Sequence, residues 1–250
     1  MRVVVFGGGG VLGRLVVDEL RRGDHDVAVA SRANGVDAAT GAGVLPAVRG
    51  AEAVVDATNV QTASGRGAVS GFGAIARHLA DAVRTAEVPH LVAVSMYGVH
   101  GEAMRRRNGY YRGKAEQERV LAASGAPVTL VRTPQWFELV DAFLRGRVGP
   151  VALVPRMRSQ PIAAAEAARE VADAVEDGFR GGEERRLAGP EEHDLADLAK
   201  RVAAHRGDPR AVLAFGVPGA GRLFDAGELL PPADVPRTGP TFEEWLAQHG

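Results

Sequence analysis

The segment Arg2-Val3-Val4-Val5-Phe6-Gly7-Gly8-Gly9-Gly10-Val11-Leu12-Gly13 carries the pattern that decides the fold. Val3 to Phe6 form a short, uninterrupted apolar run, as expected of a strand covered on both faces. After the four glycines, Leu12, Leu15, Val16 and Leu20 recur at helical spacing until Gly23 stops the helix, and Val27-Ala28-Val29-Ala30 is a second apolar run. Strand, glycine turn, helix and strand in this order make a βαβ unit.

The glycines satisfy two spacings at once, Gly7-x-x-Gly10-x-x-Gly13 and Gly8-x-Gly10-x-x-Gly13. Glycine turns the backbone through positive φ without a steric penalty and lets it come close to a pyrophosphate. The free N–H groups of the following helix supply donors and a favourable dipole. Position between a strand and a helix is the context the motif requires, so a dinucleotide site is expected here. The acidic residue that would hold a ribose 2′-hydroxyl belongs about twenty residues further on. Ser31 and Arg32 stand there instead. An aspartate would repel a 2′-phosphate, whereas a hydroxyl and a guanidinium bind it, and Arg14 can add a second positive charge. NADP(H) is therefore expected over NAD(H); the alternative is that both arginines are ordinary solvated surface.

Outward from this unit, Ala53–Ala57, Leu91–Ser95 and Val128–Arg132 read as strands, with helices near 72–86 and 113–124. The alternation implies an α/β fold, a doubly wound parallel sheet of Rossmann-like type. Gly35 to Gly43 is expected to hold a brief third strand. Beyond Pro134 the pattern loosens into a strand at 151–154 and helices near 161–177 and 192–204. Residues 1–134 are thus expected to form the dinucleotide-binding core. Residues 135–250 are expected to form a small, mainly substrate-side C-terminal portion that is not independent and can return strands or helices to the core. Near the end, Thr241 and Glu244 have the spacing of a capping box, with Phe242, Trp245 and Leu246 on one packing face.

The chain has 250 residues, 46% of them hydrophobic, enough for one large domain. Thirty basic against thirty-one acidic residues, with no long run of one sign, give no surface for nucleic acid or an anionic membrane. The absence of cysteine excludes disulfides, thiolate metal sites and cysteine nucleophiles. The seven histidines show no His-x-x-x-His pairing, so no metal site is expected. No apolar run approaches the roughly 18 residues of a membrane span. The first strand begins at residue 2 and leaves no room for a signal peptide, so a cytoplasmic location is expected. Oligomeric state is left open.

Several further segments occur in order: Asp56-Ala57-Thr58-Asn59, Val94-Ser95-Met96-Tyr97-Gly98, Tyr110 to Glu118, and Arg132-Thr133-Pro134-Gln135-Trp136-Phe137-Glu138. With the glycine turn and Ser31-Arg32, they make the chain resemble an atypical short-chain dehydrogenase/reductase of the NmrA-like, NAD(P)H-binding group. The likeness extends through Gln160-Pro161-Ile162 and the tail from Pro231 to Trp245. It implies that Gly7, Gly9, Gly10, Val11 and Leu12 lie against the pyrophosphate, and Ser31 with Arg32 at the adenosine phosphate. It also implies that Ala57, Thr58 and Asn59, at the fourth strand end, line the middle of the cofactor and that Lys114 reaches the nicotinamide ribose. Pro134, Gln135, Trp136 and Phe137 would border the nicotinamide and the substrate. Members of the group include reductases, quinone-reducing enzymes, isomerases and cofactor sensors, so membership alone does not fix an activity.

Tyr110 and Lys114 have the Tyr-x-x-x-Lys spacing, which sets both side chains on one helix face. An ammonium beside a phenol stabilises phenolate and is expected to lower the tyrosine pKa, fitting the phenol to protonate a carbonyl oxygen. The alternative is that Tyr110 packs over a ligand and Lys114 only holds ribose. Ser95 is a further catalytic candidate and Tyr97 a candidate for orienting substrate. Arg105-Arg106-Arg107 is expected in a polar loop, and Trp136 and Phe137 either stack on an aromatic substrate or pack in the core. The expected function is an NADPH-dependent reductase of a small carbonyl compound, aromatic or quinone-like. The alternatives are an NADP(H)-sensing regulator without turnover and a redox-neutral dehydratase or isomerase.

Overall fold

The structure is a computed structural model that describes residues 1–62, 64–182 and 184–249. The first part of the chain runs β1 (Arg2–Phe6), α1 (Val11–Arg22), β2 (Asp26–Ala30), α2 (Val44–Val48), β3 (Ala53–Asp56), α3 (Gly65–Thr85), β4 (Leu91–Met96), α4 (Glu102–Arg107), α5 (Gly109–Ala123) and β5 (Val128–Thr133). It continues through α6 (Leu139–Arg145), β6 (Val151–Pro155), β7 (Arg158–Ser159), α7 (Ala164–Asp177), β8 (Glu184–Arg186), β9 (His193–Asp194), α8 (Leu195–Arg206), β10 (Ala211–Phe215), α9 (Gly221–Asp225) and α10 (Phe242–His249).

Among the described residues, a six-stranded sheet has the order β2-β1-β3-β4-β5-β8 with every pairing parallel. The uninterrupted apolar run of β1 is explained by its central place. Val3 and Val5 enter the layer formed with α1 and α7, while Val4 and Phe6 enter the layer formed with α2, α3 and α5. β3 divides in the same way, Val55 to one side and Val54 to the other. Both faces are covered by helices, so neither face of these strands needs a polar residue. The fold is the doubly wound, Rossmann-like one expected.

The expected third strand is absent. Residues 35–43 contribute one isolated antiparallel bridge, Asp37 to Ala42, and Gly35, Gly41 and Gly43 all have positive φ. A stretch with three left-handed glycines and no apolar run has nothing to extend or bury as a strand. Ala53–Asp56 is therefore the third strand of the sheet, and Ala57 to Asn59 follow that strand rather than a fourth.

Helix starts are earlier or later than the apolar periodicity suggests because caps set them. Ser64 accepts from Gly67 N at 3.2 Å to start α3, Asn108 accepts from Tyr110 N to start α5, and Asp194 accepts from Ala196 N to start α8. Beyond residue 134 the chain returns α7 and β8 to the main layers. α6, β6, α8 and α10 pack around Phe137, Val140, Leu195, Leu198, Phe242 and Trp245, while Phe224 of α9 and Leu229 pack against Val99, Met104 and Tyr111. The box at Thr241 is formed: its N–H donates to Glu244 at 2.8 Å and Glu244 N returns to its hydroxyl at 3.3 Å. Among the described residues no helix is long and apolar enough to cross a membrane.

Candidate active site

Strand order reverses between β1 and β3, and the crevice outside their carboxyl ends is where a doubly wound sheet takes a ligand. The glycines after β1 fall into two groups. Gly7 has φ +80°, and a Cβ there would lie 2.4 Å from Ala57 O and 2.8 Å from Thr58 N. A Cβ on Gly13 would lie 2.1 Å from Gly7 O, and one on Gly8 2.8 Å from Val29 Cγ1. These three allow backbone to meet its neighbours directly. Gly9 and Gly10 are exposed, and a Cβ on Gly9 would meet nothing within 4 Å. They leave the backbone open toward the crevice. Gly10 caps α1 with no side-chain hydrogen bond, and the first turn holds no acidic residue. Its free N–H groups and positive dipole end thus face outward without competition. This cradle fits the pyrophosphate of a dinucleotide.

At the end of β2, Ser31 starts a single 3-10 turn over Arg32–Asn34. Asn34 builds it, its Oδ1 accepting from Ser31 N at 2.8 Å and its amide donating to Val29 O at 2.6 Å. Arg32 and Arg14 are exposed, and neither has an ion-pair partner among the described residues. No carboxylate follows β2 where a ribose diol would need one.

Lys114 points into a buried line of hydrogen bonds. Its ammonium donates to Val94 O at 2.7 Å and to Gln117 Oε1, and lies 5.1 Å above the Phe72 ring. Gln117 Nε2 donates to Asp56 Oδ2 at 2.7 Å. Asp56 Oδ1 accepts from Thr58 N at 3.0 Å and from the Thr58 hydroxyl at 2.6 Å. Burial pulls the Lys114 pKa down to about 8, against the pull of the Asp56 and Glu118 carboxylates.

Tyr110, one turn earlier on α5, keeps 37% exposure and packs edge-on against Phe72 at 5.5 Å. Desolvation pushes its phenol up to about 12, the reverse of the lowering expected from the Tyr-x-x-x-Lys spacing. The Lys114 ammonium donates to Val94 and Gln117 instead of to this phenol. Adjacent Tyr111 is buried against Phe224, and its hydroxyl accepts from Gln135 Nε2 at 3.4 Å.

The two other hydroxyls singled out by sequence are satisfied internally. Ser95 Oγ donates to Glu118 Oε1, whose carboxylate is held by the buried Arg132 at 2.9 and 3.1 Å. Tyr97 is buried and donates to Leu187 O at 3.1 Å, and burial pushes its pKa up to about 12. Arg132 also donates to Met96 O at 2.7 Å and to Glu184. Beside this network a cleft of about 320 Å³ is lined by Tyr97, His100, Arg132, Glu184, Arg186 and Glu228 with neighbouring loop residues. Its arginines are already matched, Arg132 by Glu118 and Glu184, Arg186 by Asp234 at 2.9 Å.

After β5, Pro134 and Gln135 are buried and Trp136 half-buried, its indole donating to Thr133 Oγ1 at 3.2 Å. Phe137 turns away into the aromatic cluster, 5.3 Å from Phe242 and 5.4 Å from Trp245. Gln135 Oε1 is buried without a partner among the described residues. Arg105 to Arg107 belong to α4 and not to a loop, with Arg106 on Glu102 at 2.5 Å and Arg107 on Gly219 O at 3.2 Å. Sequence reasoning passed over Asp56, Gln117, Glu118 and Phe72. The signal for Gln117 and Glu118 was their place three and four residues after Lys114, on its face of α5.

A sequence-family profile described as NAD(P)H-binding matches residues 7–177. No curated protein matches the chain by sequence. Among solved structures, a nucleoside-diphosphate-sugar epimerase from Staphylococcus aureus is similar with a TM-score of 0.73 at 15% identity, over 98% of this chain and 99% of that one. The NADPH-dependent quinone oxidoreductase of Escherichia coli in complex with NADPH has a TM-score of 0.68 at 18% identity, over 99% of each chain. A dTDP-4-dehydrorhamnose reductase from Bacillus anthracis in complex with NADP has a TM-score of 0.73 at 15% identity, over 99% and 97%. At these identities the likeness is one of fold.

Proposed function

The chain belongs to the NAD(P)H-binding family, and from that premise we propose that it is an NADPH-dependent reductase of a small carbonyl compound, aromatic or quinone-like. The observation that carries the reading is the continuous run of contacts from the glycine cradle to α5: Gly7 on Ala57 and Thr58, Thr58 on Asp56, Asp56 on Gln117, Gln117 on Lys114. It brings a dinucleotide cradle, an ammonium and, one turn away, a partly open tyrosine to the same end of the sheet.

When bound, the cofactor supplies the hydride. Gly9, Gly10 and the N–H groups of Val11, Leu12 and Gly13 hold its pyrophosphate. Ser31, Arg32 and Arg14 hold the 2′-phosphate and set the preference for NADPH, because a free guanidinium and no carboxylate stand at the end of β2 and a second free guanidinium, Arg14, stands in the first turn of α1. Lys114 holds the nicotinamide ribose hydroxyls. Tyr110, whose raised pKa keeps it protonated through the neutral range, carries the proton that the substrate oxygen takes up. Hydride addition to a ketone leaves an alkoxide, a stronger base than a phenolate, so a phenol near 12 still donates to it. Pro134, Gln135 and Trp136 border the substrate.

Titration with NADPH and NADH, followed at 340 nm with quinones and aromatic ketones, tests this reading. Tight NADPH binding with substrate-dependent oxidation supports it. The second reading, a cofactor-sensing regulator without turnover, is favoured by one observation: the Ser95 and Tyr97 hydroxyls are both tied up inside the protein. Tight binding with no oxidation would support that reading instead.

A further inference from the structure

We propose that Asp56 and Gln117 are positioning residues for the cofactor, a single buried line from Thr58 through both to Lys114 fixing the ammonium and the Ala57–Asn59 segment in one relative placement. The inference rests on the reading of Lys114 as a cofactor contact.

The chemistry of the line leaves one arrangement. An ammonium only donates and a carboxylate only accepts, so the group between them must do both. The Gln117 amide does, and its neighbours dictate which end faces which. Asp56, Gln117 and Lys114 are each at least nine-tenths buried, where an unmatched charge is costly. Direct contact would lock lysine and aspartate into an ion pair. The amide spacer links them while leaving the third ammonium N–H without a hydrogen-bond partner among the described residues. Asp56 uses its other oxygen on the N–H and hydroxyl of Thr58, whose backbone packs directly against Gly7. One carboxylate therefore governs both sides of the cofactor's middle.

The charged groups that act on Lys114 are Asp56 on β3, Glu118 on α5 and Arg132 on β5. From α3 it meets the Phe72 ring and from β4 the Val94 carbonyl. Removing Gln117 Oε1 or the Asp56 charge disfavours the ammonium, whereas a carboxylate at 117 favours it.

The test is the pH dependence of NADPH affinity between pH 7 and 10, read by fluorescence on the full chain, with thermal unfolding confirming that each variant is folded. Wild-type affinity is expected to fall as pH passes about 8. Gln117→Met and Asp56→Asn move that fall to lower pH. Gln117→Glu moves it to higher pH, by about one unit, or tenfold in affinity on the slope. Opposite shifts at one position do not arise from general loosening, and Gln117→Glu against Gln117→Met decides the matter even where Asp56→Asn fails to fold. Lys114→Met removes the step. Loss of the step in Lys114→Met with an unmoved midpoint in both Gln117 variants overturns the positioning role alone. A step that survives in Lys114→Met overturns the assignment of Lys114 to the cofactor and the inference with it.

Discussion

A Cβ built on Gly7 would stand 2.4 Å from the carbonyl oxygen of Ala57, so the turn after β1 and the end of β3 meet backbone to backbone. Gly9, two residues on, faces open space. The two glycines should therefore fail differently. Gly7→Ala combines that clash with a left-handed φ and is expected to lower the unfolding midpoint markedly. Gly9→Val should leave the midpoint nearly unchanged and weaken NADPH by about tenfold or more, roughly 1.4 kcal/mol, because the new side chain occupies the pyrophosphate's approach.

Arg32 is expected to set cofactor choice. Arg32→Ala removes charge-assisted hydrogen bonds to a 2′-phosphate, worth about 1.5–3 kcal/mol. NADPH affinity should fall about 10- to 100-fold while NADH affinity stays constant. Arg32→Asp should reverse the preference. Paired calorimetric titrations distinguish this from a loss common to both cofactors.

His90 gives the chain a specific acid sensitivity. It is buried, its Nε2 lies 2.9 Å from the Thr129 hydroxyl, its Nδ1 has no partner among the described residues, and burial lowers its pKa to about 4. An unfolded histidine titrates near 6.5. Between these values the unfolded chain binds more protons, so stability falls as pH drops from 6.5 to 4, by up to about 3 kcal/mol from this residue. Above 6.5 the contribution is complete. Denaturant midpoints of wild type and His90→Gln across that window should converge as the wild type loses stability the variant does not.

Glu138 joins three elements. Its two oxygens accept from Ala164 N at 2.9 Å, at the start of α7, and from the Trp245 indole at 3.2 Å, on α10. Glu138→Ala leaves both donors unsatisfied and should cost about 1–3 kcal/mol in urea unfolding, without altering NADPH affinity. A selective loss of NADPH affinity would assign Glu138 to the site instead.

The parts of the molecule most legible in sequence are those fixed by local chemistry. The glycine turn, the apolar strands and the Thr241 box each depend on residues close in the chain. The brief third strand was misread because spacing in the sheet suggests one, while the left-handed glycines at 35, 41 and 43 forbid it. The start of α3 was hidden by Gly65, Gly67, Gly71 and Gly73, poor helix formers. Gly65 serves packing across to α5, where a Cβ on Gly109 would lie 2.4 Å from its Cα. At the candidate site, the spacing of Tyr110 and Lys114 fixed their helix face and nothing more. That the ammonium turns to Val94, and that Ser95 turns to Glu118, depends on partners 20 or more residues away.

The most direct measurement is NADPH oxidation at 340 nm by wild type and Tyr110→Phe with a panel of quinones and aromatic ketones, alongside NADPH affinity for both proteins. Substrate-dependent oxidation by the wild type, reduced about 10²- to 10⁴-fold in Tyr110→Phe at unchanged NADPH affinity, is the expected result. Tight NADPH binding by both proteins with no oxidation of any carbonyl by the wild type would contradict the reductase and leave a protein that holds the cofactor without turning it over.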